Sequence, residues 1–166
     1  FRCIEGDACK FSLDTTFDAV LALFHVVSYQ TANSALNDMF RCVAAHLPVG
    51  GVFVFDIWYS PAVYNLRPET RIQRRSTETC QIFRLAEPHC RPNDNCVDVK
   101  YTYLINDSGK GHEEFSETHS MRHFSIPEID LLGEHNGLAR ILSEESFTGN
   151  PPSENTWSVC FAMRKI

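Results

Sequence analysis

No apolar run in this 166-residue chain is long enough to cross a bilayer as a helix. The longest, Phe17 to Val27, is interrupted by Asp18 and His25, and a spanning helix takes about 20 residues. A basic leader followed by a cleavable apolar segment is also missing, so nothing argues for export. Basic charge is scarce. Fifteen Lys and Arg stand against 21 Asp and Glu, for a net charge of -6. Nucleic acid and anionic membranes both need a basic field, which argues against either as partner. There is no Cys-x-x-Cys among the seven cysteines, and no close pair of histidines completes Cys90 and Cys96 as a zinc knuckle. The thiols read as reduced, mostly buried residues of a cytoplasmic protein, with a Cys90–Cys96 loop clip as the alternative. Gly-x-Ser-x-Gly, His-Glu-x-x-His and a phosphate loop ending in Lys are absent, which removes the commonest hydrolase and nucleotide signatures. His112 and His119 differ by an odd number of residues, so they face opposite sides of a strand and do not make a metal site.

What is present is an ordinary globular composition, with 43% apolar, 11% aromatic and 22% charged residues. Residues 1 to 5 alternate weakly up to a Gly6-Asp7 turn. Phe17 to Phe24 is nearly all apolar over strand length, the pattern of a strand covered on both faces. Ser34 to His46 predicts a helix, with Leu36, Met39, Phe40, Val43 and Leu47 at helical spacing and Asn33 or Ser34 as its cap. Pro48, Gly50 and Gly51 end it, and Val52 to Trp58 is a second apolar strand. Helix and strand alternating in this way predict an α/β sheet.

The middle changes character. Ser60 to Arg75 is polar and rich in Arg and Pro, and reads as a long excursion. Ser76 to Leu85, Cys96 to Ile105 and His112 to Phe124 alternate between turn clusters at Glu87 to Asn95 and Asn106 to Gly109. They predict an antiparallel three-stranded meander inserted at about 71–124. Pro127 to Asn136 then predicts a helix capped by Ser125. Leu138 to Leu142 and Thr156 to Arg164 are the closing strands. No repeat or low-complexity run interrupts the chain, and the expectation is one domain over 1–166.

Five pieces, in order, carry more than any one alone. They are Glu5-Gly6-Asp7-Ala8, Phe17-Asp18-Ala19-Val20, Leu23-Phe24-His25-Val26, Leu47-Pro48-Val49-Gly50-Gly51 and Phe53-Val54-Phe55-Asp56. Glu114, Glu117, His119, Arg122 and Phe124, then Trp157 to Phe161, follow downstream. The series resembles a class I S-adenosylmethionine-dependent methyltransferase of the small-molecule branch that includes amino-sugar N-methyltransferases. The resemblance implies a partial Rossmann-like sheet flanked by helices, with the meander inserted. It implies methyl transfer from S-adenosylmethionine to a small-molecule acceptor such as an amino sugar. The family's opening strand, its Gly-x-Gly-x-Gly turn and its ribose-binding acid have no counterpart here, and the chain opens on Phe1. Two readings stand. Either an N-terminal portion is missing and the chain is inactive without it, or the chain is a non-catalytic remnant or interaction domain that keeps the fold.

The resemblance also implies roles. Asp7 and the Ala8 N–H would hold adenine, a carboxylate being an acceptor for its amino group. Phe24 and His25 would line the sulfonium side at the carboxyl end of a strand, where open α/β sheets bind ligands. His25 is the candidate base and Tyr29 the candidate for ordering donor and acceptor. Trp58 and Tyr59 would form a flat wall for the acceptor, with His119 and Arg122 as helpers. An uncovered strand at Phe17 to Phe24 recruits partners, which predicts a homodimer through the exposed sheet edge or a rearranged N-terminal segment.

Overall fold

The computed structural model describes residues 2–166, so Phe1 of the expected first strand lies outside the described residues. Residues 2 to 7 form no strand, in contrast to the weak alternation there. The stretch that follows it is tied down at Leu13 instead. His46 accepts the Leu13 N–H at Nε2 (2.8 Å), and its Nδ1 lies 2.7 Å from the Cys42 carbonyl.

Strand β1 (Ala19–Ala22) runs parallel to β2 (Val52–Tyr59), with α1 (Asn33–Ala45) between them. Helix α1 forms because Leu36, Met39, Phe40 and Val43 make one apolar stripe, all of it buried. Neither Asn33 nor Ser34 caps it. Ala32 is the N-cap residue and makes no side-chain bond. Its other end is closed from a distance, because the Lys165 ammonium donates to the Ala44 and Leu47 carbonyls at 2.5 and 2.9 Å. Gly50 supplies the left-handed residue (φ 88°) of the turn into β2.

The excursion begins as a short helix, α2 (Ser60–Leu66), with Pro61 in its first turn. The meander then has four strands rather than three: β3 (Arg71–Ser76), β4 (Cys80–Arg91), β5 (Cys96–Asp107) and β6 (Gly111–Phe124). Strand β3 escaped notice because every residue in it is exposed, so it carries no buried-face alternation. Strand β4 also runs on through Pro88. Strand β3 ends opposite Ala86, so the far edge of β4 is free at Pro88 and no ladder donor is missed there. Helix α3 (Ile126–His135) carries a capping box between Ser125 and Glu128, and β7 (Leu138–Glu145) and β8 (Ser158–Lys165) close the fold.

The strand order is β3-β4-β5-β6-β2-β8-β7. Strand β8 covers one edge of β2. Its other edge is shared, with β1 along Val52–Phe55 and β6 along Trp58–Tyr59. The whole meander therefore joins the α/β part through two residue pairs, Trp58 with His123 and Tyr59 with Phe124.

The core lies on the Phe53, Phe55 and Ile57 face of β2, where α1 and α3 both pack. Gly133 of α3 meets Met163 and the Leu138 carbonyl so closely that a Cβ there has no room. The opposite face is covered only by short α2, at the Trp58 end. Across the rest of that face runs a row of apolar side chains, Leu21, Val54, Ala162 and Leu142, from four adjacent strands. Leu21 is 61% exposed, so β1 is not covered on both faces as its composition suggested. No described helix is long and apolar enough to cross a membrane. All seven cysteines are free, Cys90 and Cys96 included, but only Cys96 is buried, since the others lie on partly or fully open surface rather than in the core.

Candidate functional site

The carboxyl ends of β1 and β2 lie side by side, and Asp56 on β2 reaches across to the loop after β1. The His25 backbone N–H donates to both Asp56 carboxylate oxygens at 3.2 Å. The His25 ring adds Nδ1 at 2.7 Å from Oδ2, too bent for a straight hydrogen bond and so an electrostatic contact. Asp56 thereby pins an unusual backbone. Phe24 and His25 are consecutive left-handed residues, with φ of 63° and 60°, a conformation that side chains with a Cβ disfavour. The result aims the Phe24 ring outward, 88% exposed, while the His25 ring is partly buried edge-on to Trp58, 6.3 Å between centroids. Burial pushes the His25 pKa below its ordinary value, and the Asp56 charge opposes that fall.

Tyr29, on the same loop, meets His119 from β6. The phenol oxygen lies 2.7 Å from His119 Nδ1, and His119 Nε2 lies 3.3 Å from a Glu117 oxygen. In the tautomer whose Nε2–H points to Glu117, His119 accepts the Tyr29 O–H at Nδ1. Burial, then the nearby Tyr101 and Glu117, raise the Tyr29 pKa, so the phenol stays protonated at neutral pH.

Asp7 and Ala8 line a crevice of about 540 Å³ whose walls include Leu21, Leu23 and Val26. It ends one residue from His25. One Asp7 oxygen accepts the Cys9 N–H at 2.9 Å, and the other lies 3.7 Å from the exposed Lys10 ammonium. Asp7, Ala8, His25, Tyr29, Trp58 and His119 are therefore brought to one edge of the fold. Two candidates are not. Tyr59 has the opposite strand parity to Trp58 and packs against the core, with its N–H on the Trp157 carbonyl at 3.0 Å. Arg122 is an odd step from His119 and so faces away from it. It donates to the Thr31 carbonyl (3.3 Å) and Asn33 Oδ1 (2.6 Å), which makes it an anchor for the start of α1. Asp56 and Trp157 join this cluster without having been given a role from the sequence, although Asp56 was placed at the same strand edge as Trp58. An acid near the end of a buried apolar strand was the available signal for Asp56. Trp157, 6.2 Å from Trp58 between ring centroids, is placed by tertiary structure alone.

No family model matches the chain. Over 135 residues it is 28% identical to the dTDP-3-amino-3,4,6-trideoxy-alpha-D-glucopyranose N,N-dimethyltransferase of Streptomyces venezuelae. That match covers 81% of this chain and 55% of the relative, so the chain spans about half the relative's length. An S-adenosylmethionine-dependent methyltransferase from Clostridium acetobutylicum superimposes with a TM-score of 0.78 at 17% identity, over 96% of this chain and 63% of that one. The chain has the class I methyltransferase fold. A sugar N-methyltransferase from a Streptoalloteichus species shares that fold at a TM-score of 0.78 and 24% identity, over 97% and 61% of the two chains. Open α/β sheets bind ligands outside the carboxyl ends of their strands, and His25 and Trp58 lie at that edge of this sheet.

Proposed function

We propose that residues 1–166 belong to one S-adenosylmethionine-dependent methyltransferase domain, with 71–124 as its insertion, acting on the amine of a small molecule of the amino-sugar class. The observation that carries this reading is His25, pinned by Asp56 between the Asp7–Ala8 crevice and the Trp58 wall. The crevice fits a nucleoside: it offers a carboxylate acceptor above apolar walls. When bound there, the cofactor supplies an activated methyl group. Asp7 and Ala8 hold its adenine end, and Phe24 and His25 border its reactive end. Trp58 orients the acceptor, and Tyr29 and His119 fix its polar groups. Alignment is the main contribution to such a displacement. Burial keeps His25 neutral, and Asp56 draws its proton to Nδ1, so Nε2 has a lone pair for the proton that the amine sheds.

Thermal melting with S-adenosylhomocysteine tests the reading. A ligand that binds only the folded chain adds about 2.7 kcal/mol at 100 times its Kd. The native chain is expected to melt higher with the ligand, and Asp7→Ala to lose most of that gain. Equal gains in both proteins would remove Asp7 from the site. No gain in either favours the second reading, an interaction domain that keeps the fold, which the uncovered Leu21–Leu142 row supports.

The free edge of β1 fits pairing with a second copy of the chain, in a cytoplasmic homodimer. Leu21 and Leu23 are exposed beside the unpaired backbone of β1. Sedimentation equilibrium is expected to return twice the 18.9 kDa chain mass, and Leu21→Lys to shift it to the monomer. A native chain that stays monomeric at every concentration refutes the pairing.

A further inference from the structure

Residues 2–17 form no helix or strand, yet Asp7, Ala8, Phe11, Ser12 and Leu13 make one wall of the Asp7 crevice. A wall without a backbone ladder keeps its shape only if side chains take up its polar groups. The end of α1 supplies them. Cys42 and His46 lie one helical turn apart and reach the same stretch of chain. The Cys42 thiol donates to the Cys9 carbonyl at 3.2 Å, and His46 takes the Leu13 N–H.

His46 holds the segment at three points. Its ring is buried, with 4% of the residue exposed, and lies 4.5 Å from the Phe11 ring between centroids, tilted by 32°. Its Nε2 accepts the Leu13 N–H at 2.8 Å, and its backbone carbonyl accepts the Phe17 N–H at 2.8 Å. The partners decide the tautomer. A backbone N–H can only donate, so Nε2 is bare. The Cys42 carbonyl, 2.7 Å from Nδ1, can only accept, so Nδ1 carries the proton. The hold is then passed on to the site. The Phe11 N–H donates to the Asp7 carbonyl at 2.9 Å, which sets Asp7 against α1 rather than on a free loop.

We propose that His46 is a positioning residue for the cofactor crevice. It does not line the crevice. It acts through the Leu13 N–H and the Phe11 ring, and these fix the wall that carries Asp7 and Ala8. The inference rests on the methyl-transfer reading for the identity of the ligand, while the hold on Leu13 does not depend on it. An apolar residue at this position fills the space but leaves a part-buried donor without its acceptor.

Nitrogen-15 shifts of the histidine rings, amide hydrogen exchange and calorimetric titration with S-adenosylhomocysteine test the proposal on the 166-residue chain at neutral pH. The native His46 ring is expected in the Nδ1–H form. The Leu13 amide is expected to exchange about tenfold more slowly in the native chain than in His46→Leu, and the ligand to bind about tenfold more weakly to that variant, as for the loss of one hydrogen bond. His46→Asn keeps a donor near the place of Nδ1 but has no acceptor at that of Nε2, and is expected to behave like His46→Leu should the latter fail to fold. His46→Gln carries an acceptor oxygen on a longer side chain. It is expected to keep Leu13 protected and to bind within about threefold of the native chain. Circular dichroism of the free variants shows that they fold. An Nε2–H ring, a Leu13 amide equally protected in the native chain and His46→Asn, or equal binding by both overturns the proposal. Equal losses in His46→Gln and His46→Leu mark a packing role and overturn it too. Normal native binding with an unprotected Leu13 amide condemns the His46 hold alone. A protected Leu13 in a native chain that does not bind S-adenosylhomocysteine condemns the methyl-transfer reading, and with it the cofactor role of His46.

Discussion

Phe55→Ala is expected to remove about 4 kcal/mol of folding stability, the middle of the range for deleting a fully buried aromatic. Phe55 is wholly enclosed. It stacks on Phe161 at 5.3 Å and 8°, lies 4.5 Å from Phe53, and meets Phe40 edge-on at 5.5 Å. Three elements, α1, β2 and β8, thus share one ring. A domain holds only about 5–15 kcal/mol in total, so the variant sits near the limit of folding. The next residue is Asp56, so a loosened β2 also releases the pin on His25. Urea unfolding measures the effect. Phe24→Ala is the control, since that ring is in solvent, and should change stability by less than about 0.5 kcal/mol. A loss below about 1 kcal/mol at Phe55 would show that the aromatic stack contributes little.

Acid is expected to weaken the fold by about 3 kcal/mol through His123. The imidazole is buried, with Nδ1 2.8 Å from the Ser60 hydroxyl and the Tyr64 ring edge-on to it. Burial lowers its pKa from 6.5 to about 4, Arg122 adds to the fall, and Glu128 opposes it. Above pH 6.5 the ring is neutral in folded and unfolded chains alike, and it has no effect on the balance. Below 6.5 the unfolded chain takes up a proton that the folded chain refuses. Stability therefore falls as the pH drops from 6.5 to about 4 and levels off beneath that. His25 is shifted in the same direction and adds to the slope. Urea midpoints at pH 7.5 and 4.5 measure the loss, and His123→Gln should flatten most of it. An unchanged pH slope in that variant would place the acid sensitivity elsewhere.

The α/β part was readable because its signals are local. Leu36, Met39, Phe40 and Val43 recur at helical spacing, Val52 to Trp58 is continuously apolar, and Ser125 with Pro127 marks a helix start. The meander was half readable. Strands β5 and β6 alternate around a turn in which Asp107 accepts the Gly109 and Lys110 N–H groups. Strand β3 buries nothing, so periodicity had nothing to register. The site was legible only where chain order brings its parts together. His25 and Trp58 follow the ends of neighbouring strands, so their closeness could be read from chain order. The partners 90 residues apart, Tyr29 and His119, were each singled out, but their contact depends on the fold of the whole meander. Tyr59 and Arg122 show the opposite error: the residue types suited the chemistry, and strand parity turned both side chains away.

The join of two residue pairs between β2 and β6 makes the meander a lever mounted on a narrow hinge. Trp58 sits on the hinge itself, paired with His123, and the arginines lie out along the arm. Arg122 on the Thr31 carbonyl and Asn33, Tyr29 against His119 and Ser60 against His123 brace that joint from the α/β side. Those side-chain braces, more than the strand ladder, set how the meander sits against the α/β part.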